Sequence, residues 1–396
     1  MKIIVKKKIT IEDIFVWFVS IYLFIQTLST GVQFDSGALE MLYIVQSTWW
    51  NFLRLLILIK IGFQFQKKDI KLIFALIIAF CSSYFASAYW VSEIIWIIVG
   101  TKRVDLRKLI KHCFVAELLS FLIVVGMCGL GLVNDVTITR DSGMLRHALG
   151  FNHPNAFAAR VFQLQAMYVY LLNKRIRRKN IIVLIMIDIF VYLLTNSKTV
   201  TILLLLMIFF VVILDNIYRT DRLGKNSVWK KLNEGIMKKL KYVAIVIPSI
   251  ATFFMLYLSN ESGQGSLSAR ASQAAIYFQH YGVTLFGQPL QTNNTAENFY
   301  LQQSKLYTLD NSYMYLLIGY GVICFAIFIV CEVLLIYRTI RKKEYTTVVI
   351  LILYMIYGIV ETMTIRFTYN FSLILLAQIL WKERQKEINE NIIYRA

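Results

Sequence analysis

Three prolines and 18 glycines in 396 residues leave few breakers of regular structure. Charge is scarce too, at 16% of residues, against about 25% in an ordinary soluble domain. Cysteine is sparse. Cys81, Cys113, Cys128, Cys324 and Cys331 all lie in or beside apolar runs, with no CxxC or Cys/His spacing. A disulfide scaffold and a structural zinc site are thereby excluded. Apolar residues are abundant, 58% of the chain, with a mean hydropathy of +0.61. That surplus excludes intrinsic disorder, which arises where too little apolar surface exists to bury.

The net charge of +19 first points to a polyanion such as nucleic acid. The placement of the basic residues removes that reading. They stand in short clusters between apolar runs, each long enough to cross a hydrocarbon core about 30 Å thick. The pattern predicts an all-α polytopic membrane protein, a single integral membrane domain over 1–396. It has about 12 transmembrane helices, over 11–29, 42–64, 70–84, 85–100, 109–131, 154–172, 181–195, 199–214, 242–258, 312–337, 345–360 and 367–381. Residues 70–100 hold two short spans or one long kinked one, with Ser82, Ser83 and Ser87 marking the turn. The first span follows Lys6, Lys7 and Lys8 without a small-residue cleavage site, and reads as an uncleaved anchor. With the N-terminus inside, 33 of the 42 Lys and Arg fall in inner segments. Only Arg140, Arg146, Lys198, Arg270, Lys305 and Arg366 fall outside, and Arg54, Lys60 and Arg160 lie within spans. This asymmetry predicts a multi-pass plasma-membrane protein with both termini cytoplasmic. Its basic inner loops would meet anionic headgroups of the lipid bilayer. The charge is thus a topology signal, and no nucleic-acid partner is expected.

Two outer segments are long: 132–153, and the large extracellular loop 259–310. Neither is large enough to fold alone, so any chemistry belongs to the outer face. The stretch Arg146–Asn155 precedes a span running from outside to inside. Pro154 suits the first helical position and Asn152 or His153 the cap. That helix aims free N–H groups and its positive dipole end outward, where a phosphate would be attracted. Arg160 lies two turns further in, where an Arg costs about 2.5–3.5 kcal/mol at the bilayer centre, so it should face a wet cavity or an anion. Arg54, near mid-span, is read as facing the bundle interior, a possible partner for the scattered acids Glu93, Glu117, Asp188 and Glu332. Thr195–Thr199 and Asp310–Tyr313 each open another inward-running span. Capping accounts for Asn196, Ser197 and Ser312. It accounts less well for Lys198 and Asp310. Residues 266–281 read as an amphipathic helix on the membrane surface or over a cavity. One face carries Arg270, Gln273, Tyr277 and His280, the other Leu267, Ala271, Ala274, Ala275 and Phe278.

Three blocks carry a resemblance. They are Arg146–Asn155 (RHALGFNHPN), Ser266–Arg270 (SLSAR) before Phe286-Gly287 (FGQ), and Leu309–Tyr313 (LDNSY) before Gly319–Gly321. In sequence and order they resemble the signature blocks of Wzy-type capsular or O-antigen polysaccharide polymerases of Gram-positive bacteria, in the O-antigen ligase-like superfamily. The resemblance implies a glycosyltransferase that moves a growing glycan from undecaprenyl pyrophosphate to the non-reducing end of a lipid-linked oligosaccharide unit. It also implies a chain-length regulator and a flippase of the same pathway as partners. It places pyrophosphate binding on Arg146, Arg270, Arg160, Lys198 and Asn155. Two departures stand out. Many relatives have His where this chain has Asp310, and Ser-Arg where it has Ser197-Lys198, which replaces a bidentate fork by a point charge. A general base would raise the rate about 10²–10⁴-fold, and His153, His280 and Asp310 are equal candidates. Asp135, Asp141, Glu261 and Glu297 are dispersed along the outer segments, so neither a metal nor any other cofactor is expected. A ligase of the same superfamily shares this chemistry. A flippase or transporter fits less well: no internal repeat is visible, and of the prolines only Pro248 lies within a span. A membrane sensor would need a soluble signalling domain.

Overall fold

The structure, a computed structural model, describes residues 9–31, 36–66, 69–139, 143–172, 176–222, 235, 239–258, 266–291 and 308–381. Arg140, Asp141, Glu261, Glu297 and Lys305 lie outside the described residues. So do most of the basic segments 1–10, 215–241 and 382–396 and the side chain of Leu267. The described chain is almost wholly helical. The helices are α1 Ile11–Gly31, α2 Ser36–Gln64, α3 Ile70–Ala86, α4 Trp90–Gly100, α5 Leu106–Gly129, α6 Pro154–Leu172 and α7 Arg178–Thr195. They continue with α8 Lys198–Arg222, α9 Val243–Leu258, α10 Ser266–Tyr281, α11 Ser312–Gly319, α12 Gly321–Arg341, α13 Tyr345–Tyr357 and α14 Ala377–Leu380. Strands β1 Thr137–Thr139 and β2 Leu145–His147 form one antiparallel hairpin.

Helix ends follow side-chain chemistry. Asp105 accepts the amides of Arg107 and Lys108 at 2.8 and 3.3 Å and caps α5. Asn311 accepts those of Tyr313 and Met314 at 2.9 and 3.0 Å and caps α11. Asn196, left-handed at φ 44°, ends α7 and lets α8 begin two residues later. Ser87, at φ 49°, makes the turn between α3 and α4, whereas Ser82 lies inside α3. Lys60 is buried and donates to the carbonyls of Gly100 (2.5 Å) and Lys102 at the end of α4, where a cation meets the negative helix end.

Five helices are long and apolar enough to cross a membrane: Ile11–Ser29, Gly37–Gln64, Leu106–Gly129, Lys198–Asp215 and Gly321–Arg341. They and their neighbours expose large apolar side chains such as Phe63, Phe80, Leu193 and Phe253. A surface of that kind is stable only against lipid or a partner, and the chain is a membrane-embedded all-α protein. At the centre lies α6, buried along nearly its whole length, Gln163 and Gln165 included. It packs on α5, α7, α8 and α13, so protein surrounds it where its neighbours expose apolar side chains.

Two of the expected spans are interrupted in the structure. The run 312–337 is broken at Tyr320. Gly321 has φ +86°, and the amides of Val322 and Ile323 bond to the carbonyls of Thr284 and Leu285 at 2.9 and 3.2 Å. Gln288 N donates to Gly319 O at 2.9 Å. A loop after α10 thus clasps the break, and a Cβ on Gly287 (φ +102°) would lie 2.4 Å from Gly319 O. Gly287→Ala should therefore cost about 1–3 kcal/mol in backbone strain alone. Thermal unfolding of the detergent-solubilised protein measures this, and an unchanged midpoint would show that the clasp is loose. The run 367–381 is not one α-helix. Its apolar residues form a 3₁₀ turn, Phe371–Leu376, followed by α14, and Phe371–Ala377 are all buried. Composition alone does not separate an apolar run packed in protein from one packed in lipid.

Candidate functional site

The β1–β2 hairpin leads into α6 and fixes its first residues. Asp135 Oδ1 accepts the amides of Ala148 and Leu149 at 3.0 and 2.7 Å, and Oδ2 lies 2.6 Å from His147 Nδ1. Phe151 is buried against Phe121 and Phe157. With both ends of the turn held, Arg146 points into the bundle. It is 6% exposed. Its Nε donates to Thr195 O, a free carbonyl at the end of α7, at 2.5 Å, and its Nη2 donates to Asn155 Oδ1 at 2.6 Å.

From Asn155 the network reaches other elements. Asn155 Nδ2 donates to Glu361 Oε1 at 3.3 Å, and Arg270 Nη2, from α10, donates to the same oxygen at 3.0 Å. Arg270 Nε lies 3.6 Å from Asp310 Oδ2. Glu361 follows α13 and is fixed through its backbone, where its carbonyl accepts Ser312 Oγ at 2.7 Å. That hydroxyl also sits 2.7 Å from Thr364 Oγ1. Three segments far apart in sequence therefore meet around one carboxyl group. Arg270 and Asp310 stay partly open, with side chains 20% and 32% exposed, while the Glu361 side chain is 7% exposed.

Electrostatics give the cluster a net positive charge. Burial, with help from the Asp310 charge, pushes Glu361 up to about 8, against the pull of Arg270, Arg146 and the Asn155 bond. Asp310 is also raised by burial, opposed by Arg270. Near neutral pH the enclosed Glu361 holds a proton, so two guanidiniums face at most one carboxylate. Burial and then Arg146 and Arg270 bring His153 down to about 4, so its ring is neutral. His153 Nδ1 accepts the Asn155 amide at 3.0 Å, which puts the ring proton on Nε2.

The other expected site residues lie apart from this cluster. Lys198 is exposed at the start of α8. His280 is exposed near the end of α10, edge-on to Tyr281, and ten residues of helix place it about 15 Å along the axis from Arg270. Tyr277 is fully buried and donates to Gln291 O at 2.9 Å, so it does not share an open face with Arg270 and His280. Arg54 is half-buried, bonded to Asn51 and set over the Trp50 ring at 5.7 Å, so its direct contacts are with its own helix.

Arg160 meets an anion, but one supplied by the protein. It is fully buried, 3.4 Å from Glu117 Oε1. It donates to Thr368 O at 2.6 Å and stacks on Tyr369 at 4.0 Å. Gln163 Nε2 donates to Glu117 Oε2 at 2.7 Å and to Thr368 O at 2.9 Å. This places Arg160 in a structural ion pair. Glu117→Ala would strand the buried guanidinium and should destabilise the protein by about 3–5 kcal/mol. The double variant Glu117→Leu/Arg160→Met should regain most of that, since Gln163 still serves Thr368 O. Unfolding midpoints compare the two, and a double variant no better than the single would contradict the pairing.

Glu361 does not stand out in the sequence. Its one signal there is an acid standing with Arg366 in a short outer connection. No protein-family model matches the chain, and no curated protein or solved structure matches it. The class defined by fold and site is an all-α membrane protein with a buried, net-cationic cluster at one end of its central helix.

Proposed function

We propose that this chain is a polysaccharide polymerase, a glycosyltransferase that uses an undecaprenyl-pyrophosphate-linked donor at the outer face of the plasma membrane. The observation that carries the reading is the junction of Arg146 and Asn155, Arg270, and Asp310 through Glu361. These residues come from the three sequence blocks that resemble Wzy-type polymerases, and a net positive cluster at a helix N-terminus suits a diphosphate. The proposed topology has twelve spans with both termini cytoplasmic, the last crossing as the buried 3₁₀ and α14 stretch. The concentration of Lys and Arg in alternate connections supports it.

In the proposed step Arg146 and Arg270 hold the donor diphosphate. The acceptor hydroxyl oxygen bonds to the donor's anomeric carbon as the bond from that carbon to the phosphate oxygen breaks. Its electron pair leaves with the diphosphate, and the hydroxyl proton passes to the Asp310 carboxylate. Asp310 is favoured over His153 because His153 presents a proton, not a lone pair, at Nε2, and over His280 because of distance from the arginines. Arg160 serves the bundle, and Lys198 can meet the lipid headgroup side of the substrate.

Purified full-length protein given lipid-linked repeat units tests the reading. A ladder of lengths supports it. Transfer to a different acceptor without a ladder would replace it by a ligase. Movement of units between leaflets with no new bond would replace it by a flippase. The same preparation tests association with a chain-length regulator.

A further inference from the structure

We propose that Glu361 holds the donors of a phosphate seat as a built-in counter-ion, and that an incoming phosphoanion binds only when Glu361 is protonated. The inference rests on the polymerase reading for the identity of the anion, and on geometry for the rest. The donors that would hold a phosphate, Arg270 Nη2 and Asn155 Nδ2, both point at Glu361 Oε1. Arg146 is tied to the same spot through Asn155 Oδ1. A carboxylate and a phosphate ask for the same donors, and Ser312 and the following 3₁₀ turn hold the Glu361 backbone in place. The residue is therefore kept where an anion would sit, and its charge, not its position, is what must change.

The groups facing it come from every neighbouring element. Arg146 is on β2, His153 and Asn155 are at the start of α6, and Arg270 is on α10. Asp310 precedes α11, and Tyr357 ends α13. Burial holds Tyr357 neutral through the range of interest, and His153 titrates far below it. Glu361, raised to about 8, is the group that exchanges a proton above neutrality. Below that value the carboxyl is uncharged and no longer forms an ion pair with Arg270. Above it the carboxylate competes for that guanidinium. Glu361 acts in this scheme as a positioning residue, orienting Arg270 and Asn155 before substrate arrives.

Inorganic pyrophosphate is the probe, titrated into the full-length protein in nanodiscs between pH 6 and 9.5. Wild type should bind with little change up to about pH 8 and then lose affinity about tenfold per pH unit, as expected when one proton is linked to binding. Glu361→Gln keeps the acceptor oxygen without the charge. Its affinity relative to wild type should be near one at pH 6.5 and about tenfold higher at pH 9. The probe's own ionisation is common to both proteins and cancels in the ratio. Calorimetry of wild type at pH 9 in buffers of different ionisation enthalpy should show close to one proton taken up, a count that needs no variant. A ratio that stays constant with pH, or no proton uptake at pH 9, overturns the role of Glu361 and leaves the anion site standing. No pyrophosphate binding at any pH overturns the anion site, and the polymerase reading with it.

Discussion

Arg270→Ala should abolish ladder formation while single lipid-linked units accumulate. The side chain touches both carboxyls, at 3.0 Å from Glu361 and 3.6 Å from Asp310. Its loss removes one of the two cations offered to the leaving diphosphate. Removing a preorganised donor from developing charge typically costs about 10²–10³ in rate. Here the loss also leaves Asp310 and Glu361 without a shared cation, so the cluster loses its positive surplus. Arg270→Lys restores charge but not the fork that reaches both partners, and should recover only part of the rate. The loss should fall more on kcat than on KM, because the diphosphate gains charge only as the bond breaks. Near-normal chain lengths from Arg270→Ala at normal protein levels would remove this residue from the mechanism.

Asp310→Asn should lower the polymerisation rate by about 10²–10⁴-fold, the usual worth of a positioned general base. In wild type the rate should fall on acidification through the raised Asp310 value, because the protonated carboxyl accepts nothing. The variant should lack that acidic limb. His153→Gln should lose much less, since its ring nitrogen accepts a backbone amide at 3.0 Å and acts on the start of α6. The reverse ranking in the reconstituted assay would move the base from Asp310 to His153.

Local signals make much of the helical framework legible. Pro154 opens α6, Asn311 caps α11, and apolar runs of membrane length between basic clusters mark the bundle. Arg146 and Arg270 stand out because cations are rare in the segments assigned to the outer side. Glu361 does not stand out, because its importance comes from partners 91 and 206 residues away in sequence. The pairing of Arg160 with Glu117 is hidden for the same reason: Arg160 is the one charge of α6 and Glu117 the one acid of α5, and each finds its partner on another helix. The break at Tyr320 is not legible, because the sequence reads as one span over 312–337 and the glycines there take their meaning from a loop 30 residues earlier that fills the space a Cβ would need.

The connection from Gly358 to Phe371 is stitched at both ends. Near its start Ser312 and Asn155 hold Glu361, and near its finish Arg160 and Gln163 hold Thr368 while Gln163 Oε1 takes the Phe371 amide at 3.1 Å. Asn155 and Gln163 stand eight residues apart on one helix, so that helix works as a ruler setting the spacing between the two anchor points. A change in the greasy middle of the bundle would shift this strap lengthwise and retune the charged mouth without touching it.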